Sequence, residues 1–273
     1  MIDLPEHDAR IYPEVGRCIY CGSVDRLSDE HIFPYGLGGR WVIPKGSCHE
    51  CARITSAYEG TVQRTMLGPL RLMLKMPSRR KRERPEKLPL KVKLTPTADW
   101  TFIEVDQKDY PFLILLPILT LPDEIKGFRR QGERRAAARK YWIRAPQISG
   151  GFDVYCGDLA ARLGVAEIMP TAASDAEAFF RMLAKIAHAF AIAELGPDTF
   201  TPFLASLITG GSAEEAVQYV GGIEGTEGPA AVLHQAWIAA YPPDPSLITV
   251  RVRLLARLGT PTYVVAVGRR MAA

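Results

Sequence analysis

The sequence predicts an α+β fold. A small zinc-stabilised module comes first, followed by an α+β C-terminal domain with a central buried helix and a terminal β-hairpin. Three observations carry this. Two Cys-x-x-Cys pairs, Cys18/Cys21 and Cys48/Cys51, lie 26 residues apart. Residues 174–195 are apolar on most sides at helical spacing, as a buried helix requires. Residues 247–255 alternate apolar and polar, then turn through Leu258-Gly-Thr-Pro261 into a second β-rich run at 262–267. At 273 residues the chain is long enough for two domains. They are expected at 1–77 and 96–273, with a basic linker at 78–95.

Composition sets the class. With 47% hydrophobic and 23% charged residues, the chain reads as a soluble globular protein rather than a disordered one. The net charge of +4 is a weak pointer to an anionic partner, and its distribution says more. Five cysteines, four of them in matched pairs, fit a reducing compartment with one metal site, hence a cytoplasmic protein. Cys156 is expected as a buried thiol. The start, Met1-Ile-Asp-Leu-Pro-Glu6, is acidic and unlike a secretion signal. The longest apolar run, Phe112–Leu121, is short and contains Pro117, so no membrane partner is expected.

Residues 1–17 read as a lead-in that packs on the zinc module, with His7 on the surface. Each Cys-x-x-Cys turn brings two thiolates to one ion, and two turns complete a tetrahedral four-thiolate zinc site. Gly22, directly after Cys21, supplies the left-handed residue such a turn needs. With four protein ligands the Zn2+ is structural and has no open position for chemistry. A redox dithiol is the weaker reading.

Between the pairs lies Ser28-Asp-Glu-His-Ile-Phe-Pro34, then Leu37-Gly-Gly39. A neutral imidazole can accept a proton from water, and a neighbouring carboxylate can hold a hard cation. In a strand, however, Glu30 and His31 would face opposite ways. On spacing alone the pair is weak, and a core or surface histidine is the plainer reading.

Taken together, Cys-x-x-Cys, Glu30-His31-Ile-x-Pro34, Leu37-Gly-Gly39 and the second Cys-x-x-Cys resemble the HNH (ββα-metal) endonucleases with a four-cysteine zinc site. The resemblance covers about residues 15–80. It implies a ββα module in which Glu30 binds a catalytic divalent metal, Mg2+ or Mn2+, and His31 polarises the attacking water. It also implies DNA as the partner. One position departs from the pattern. Many HNH sequences carry Asn or His directly after the last cysteine as a second metal ligand, and here that residue is Ala52. On a helix over 50–66, Glu59 shares a face with Ala52 and supplies a carboxylate from about two turns away. It is the candidate third member of the catalytic set, and an ordinary solvated residue otherwise. His49 is a further candidate ligand.

Apolar spacing from Ile54 to Leu74, interrupted at Gly68-Pro69, predicts one helix to about 67 and a short second one over 69–76. Residues 78–93 are rich in Lys and Arg and broken by Pro85 and Pro89, which predicts an extended basic linker. Arg79, Arg80, Lys81, Arg82 and Arg84 are the expected DNA phosphate contacts. Trp100–Val105 and Phe112–Leu116 read as strands. Pro122–Tyr141 is helix-favourable and carries a second set of basic residues. Ser174-Asp-Ala-Glu177 matches a capping box, with Ser174 as N-cap of the buried helix. Lys185 and His188 are that helix's interior polar residues. A general base is conceivable there, and a hydrogen-bonded core histidine is the better reading. Thr201–Ile208 and Ala213–Tyr219 read as short helices, and Val220–Gly228 as a glycine-rich turn.

These readings converge on a metal-dependent DNA endonuclease. The C-terminal domain is expected to supply targeting, homodimer contacts, or a sensor for a small-molecule or protein trigger. The rivals are a lapsed nuclease that only binds nucleic acid, which Ala52 makes credible, and a defence-type effector gated by its C-terminal domain.

Overall fold

The first ordered strand pairs sit around the cysteines. In the computed structural model, which describes residues 5–78, 84–127, 140–145, 151–170, 172–223 and 227–271, β1 (Arg10–Ile11) runs parallel to β3 (Trp41–Cys48). β2 (Leu27–His31) pairs antiparallel on the other side of β3, with an irregularity between Ser28 and Glu30. Helix α1 (His49–Thr65) follows β3 without a break, and the Cys48 sulfur accepts the Cys51 N–H at its N-terminus. Its buried face is Cys51, Thr55, Tyr58 and Val62, spaced as one helical stripe. Helix α2 (Gly68–Met73) begins with Pro69 in its first turn, a position where the missing N–H costs nothing. The hairpin linking β2 to β3 depends on Gly39, where a Cβ would lie 2.1 Å from the Phe33 carbonyl oxygen. Only glycine permits that approach.

The segment read as a basic linker contains a paired strand, β4 (Lys87–Lys93). It is the middle of a three-stranded sheet between β5 (Thr101–Asp106) and β8 (Glu167–Met169). Pro89 is tolerated because β8 pairs with β4 only at Lys91–Lys93, so at Pro89 the strand is paired on the β5 side alone, the edge-like position proline requires. β6 (Ile114–Ile118) pairs with β7 (Lys140–Arg144). Between them lies α3 (Asp123–Lys126). Most of the second basic segment, including Arg129, Arg130, Arg134, Arg135 and Arg139, lies outside the described residues. Helix α4 (Phe152–Leu163) precedes β8, and Cys156 on it is half-buried rather than fully buried.

Helix α5 (Ala176–Leu195) is the central buried helix the apolar pattern predicted; its residues from Ala178 to Ile192, Arg181 excepted, are all buried. Its cap is one residue later than expected. Asp175, not Ser174, is the N-cap, and its carboxylate accepts the Ala178 N–H at 3.0 Å. A carboxylate there also complements the helix dipole, which a serine hydroxyl does less well.

After α5 the chain departs further from the local reading. Thr201–Ile208 is not one helix: β9 (Phe200–Pro202) comes first and α6 (Ala205–Thr209) after it. Helix α7 (Ala216–Tyr219) leads into β10 (Val220–Gly222), so the glycine-rich turn begins as a strand. Gly221 and Gly222 let β10 pass against residues 119–122, where a Cβ on Gly221 would stand 2.3 Å from the Thr120 carbonyl. The terminal hairpin is β12 (Leu247–Arg253) with β13 (Tyr263–Arg270), as the alternation predicted. β11 (Gln235–Ala239) extends it beyond β12; β10 and β9 both pair with β13.

Helix α5 lies on β12 and β13 with one side and on α1 with the other. The resulting buried cluster is continuous from Tyr12 and Ile32 through Phe179 and Phe190 to Val250 and Val265. His7 belongs to this interior and not to the surface: it is 1% exposed, stacks obliquely on Trp41, and accepts the Arg40 N–H at 3.1 Å. No described helix is long and apolar enough to cross a membrane.

Candidate functional site

The four cysteines meet as their spacing predicted. Their sulfur atoms all lie within 4.8 Å of one another, and Cys21 Sγ and Cys48 Sγ are 3.6 Å apart. The first pair is held in a tight turn by the Gly22 N–H to Cys18 carbonyl bond of 2.9 Å, and Gly22 adopts φ +76°. The second pair occupies the β3–α1 junction. Zinc–sulfur bonds of about 2.3 Å in a tetrahedron put sulfurs about 3.8 Å apart, so the cluster has the dimensions of such a site. Burial, together with the neighbouring thiols, pushes the Cys51 thiol well above its usual range. A bound cation such as zinc would stabilise the thiolate forms that burial opposes. The four residues can therefore hold a metal such as zinc.

Glu30 and Glu59, selected from the sequence, also come together, and a third residue joins them. Lys185 Nζ lies 2.5 Å from Glu30 Oε1 and 2.9 Å from Glu59 Oε1. It also donates to the carbonyl oxygens of His31 and, at 3.4 Å, Ile32. The Lys185 side chain is 2% exposed and those of Glu30 and Glu59 are 6% and 14% exposed. Burial opposes the charge on Lys185, but the two carboxylates outweigh it and hold its pKa above the usual lysine value. Burial pushes the Glu59 carboxyl upward, with Lys185 opposing and Glu30 adding to the rise. Glu59 is thus not an ordinary solvated helix residue; it and Glu30 converge on one ammonium.

Strand alternation separates Glu30 from its neighbour. Glu30 is buried, whereas His31 is half-buried and packs its ring 5.4 Å from Tyr35. Ala52 is half-buried, and His49 is exposed on the first turn of α1. Two phenols that sequence reasoning did not single out as site residues, Tyr20 and Tyr58, are buried beside the carboxylates. Burial first, then the charges of Glu30 and Glu59, pushes both well above the usual tyrosine range, so they remain neutral. Their signal was present in sequence: Tyr20 lies inside the first Cys-x-x-Cys, and Tyr58 immediately precedes Glu59.

His188, one turn beyond Lys185, is a core histidine. Its Nε2 pairs with the Ile19 carbonyl at 2.8 Å, and its ring stacks on Tyr20. Helix α5 therefore holds the cysteine turn through His188 and the β2 end through Lys185. Of the residues expected to contact DNA, Arg79, Arg80, Lys81 and Arg82 lie outside the described residues. Arg84 donates to the Met76 carbonyl.

The catalytic Mg2+ or Mn2+ that the HNH resemblance implies does not fit this arrangement. The oxygens that would bind it already surround the Lys185 ammonium, and the pair is closed to solvent. No protein-family model matches the chain, and neither a curated protein nor a solved structure matches it.

Proposed function

We propose that this chain is a phosphodiester hydrolase of the HNH type acting on DNA, with its reaction site closed in the conformation described here. The observation that carries the reading is the convergence of Glu30 and Glu59 beside the His31 backbone. It occurs at the end of a strand–strand–helix unit clamped by four cysteines. In this reading the zinc ion holds a unit too small to bury a core of its own. His31 accepts the proton of the attacking water, and Glu30 and Glu59 are the acidic pair whose charge a cation would have to balance before a phosphate could approach. The basic residues around Arg79–Arg84 grip the backbone without reading sequence. The C-terminal part provides targeting, sensing or dimer contacts.

The second reading is a lapsed nuclease that retains nucleic-acid binding. Lys185 favours it, because a buried ammonium occupies the place where a catalytic cation would be needed. Incubating plasmid DNA with wild-type and Lys185→Met protein in Mg2+ or Mn2+ separates the two. Nicking by either protein that is lost on adding His31→Ala supports the hydrolase. DNA retarded in a gel but intact with both supports the lapsed form.

A further inference from the structure

We propose that Lys185 is a built-in replacement for a divalent cation, and that the Glu30–Glu59 pair is a latent site for one hard cation, exposed when the ammonium is removed. This rests on the reading above only in taking Glu30 and Glu59 as the acidic pair.

The geometry is that of a cation site filled by the wrong cation. Four oxygens surround Lys185 Nζ: two carboxylate oxygens at 2.5 and 2.9 Å and the carbonyls of His31 and Ile32. Carboxylate and carbonyl oxygens are the donors that Mg2+, Mn2+ and Ca2+ prefer, and soft metals have no thiolate or imidazole here to select them. An ammonium has only three protons and one charge. It leaves a site with two carboxylates short of full neutralisation, which is why burial and Glu30 raise the Glu59 carboxyl despite the lysine. A divalent ion would balance both carboxylates. The ammonium is not a chance surface contact. It is carried on the most buried of the described helices, on the same face as His188, and reaches a separate strand and helix at once. Two buried carboxylates with no cation are strongly unfavourable, so a neutral residue at 185 creates a demand that an added ion can meet.

The test uses zinc-loaded full-length protein titrated with Mn2+. Free Mn2+ is followed by electron paramagnetic resonance and melting temperature by calorimetry. Wild type is expected to bind no Mn2+ at the pair. Lys185→Met is expected to bind one Mn2+ per chain and to melt roughly 5–10 °C higher at a hundredfold excess over its Kd. Adding Glu59→Gln should abolish both effects. Wild-type binding that Glu59→Gln removes would overturn the proposal, as would a folded Lys185→Met protein that binds nothing. Should Lys185→Met fold only with Mn2+ present, the ion has replaced the ammonium, as expected. If neither it nor Lys185→Gln folds with Mn2+, the ion cannot do so and the proposal falls. Failure of the hydrolase reading looks different: Mn2+ binds to Lys185→Met, yet DNA stays uncut.

Discussion

The ammonium of Lys185 lies 2.9 Å from Glu59 Oε1, joining the helix that carries Cys51 to the helix at the centre of the core. Glu30 completes the contact at 2.5 Å. Breaking a buried ion pair by removing one partner costs about 3–5 kcal/mol, because the remaining charge is stranded. Lys185→Met should lose that much in urea unfolding without added divalent ions. Glu59→Gln should lose clearly less, because Glu30 still pairs with the lysine. Equal losses in the two variants would show that the contact is not organised around the lysine.

Metal content follows from the cysteine cluster. Protein purified in zinc should contain one Zn2+ per chain by mass spectrometry of its metals. Cys51→Ser should lower that content and the melting temperature together, since metal binding and folding share one free energy. A chelator that strips the ion should unfold the cysteine turns first, seen as rapid amide exchange at Cys18 and Ile19, whose N–H groups donate to the Ser23 carbonyl at 2.7 Å and the Gly46 carbonyl at 2.9 Å. Unchanged exchange in the stripped protein would count against a structural ion.

Acid should destabilise the chain through two interior histidines. Burial holds His7 down at about 4, with Asp8 opposing and Arg40 assisting; burial holds His234 down at about 3, with the Leu37 carbonyl opposing and His7 assisting. Both values lie below the unfolded 6.5, so the unfolded chain takes up more protons in between. The stability from the neutral rings is complete above about pH 6.5 and is lost as pH falls towards about 4 for His7 and about 3 for His234. Melting temperature measured from pH 7 to pH 4 should fall steadily. His234→Gln should flatten the slope at some cost in stability at pH 7, because both of its ring nitrogens pair with backbone, at Leu37 and Leu255. An unchanged slope would remove His234 from the account.

The cap of α5 gives a sharp local comparison. Asp175→Ala should cost about 1 kcal/mol, the usual value for a lost N-cap. Ser174→Ala should cost close to nothing, because the serine does not cap the helix. The reverse order would restore the capping box read from sequence.

Gly39 gives the last comparison. With 2.1 Å from an added Cβ to the Phe33 carbonyl, Gly39→Ala must shift the β2–β3 connection. A loss of about 1–3 kcal/mol is expected, as for other overpacked sites.

What sequence could and could not reveal follows from range. The cysteine turns, α1, α5 and the β12–β13 hairpin are specified by patterns within a few residues, and all were legible. The irregular region after α5 was not: Thr201 sits in a strand because β9 meets Arg269 and its neighbours on β13, a partner far along the chain. Glu30 and Glu59 were legible as candidates through motif and helix face. Their meeting point was not, because Lys185 belongs to a different segment, and a lone lysine in an apolar helix names no partner. The charge itself was the clue: a lysine with no water around it must face carboxylates.

The order in which the chain is made gives the Lys185 contact one more consequence. Residues leave the ribosome from the N-terminus at about 5–20 per second, so Glu30 and Glu59 emerge on the order of ten seconds before their lysine. During that interval the nascent hairpin and helix carry an unanswered acidic pair. They must wait to close, or borrow a cation from solution, until α5 arrives. Assembly of the first part of the chain is thereby timed by the synthesis of the last.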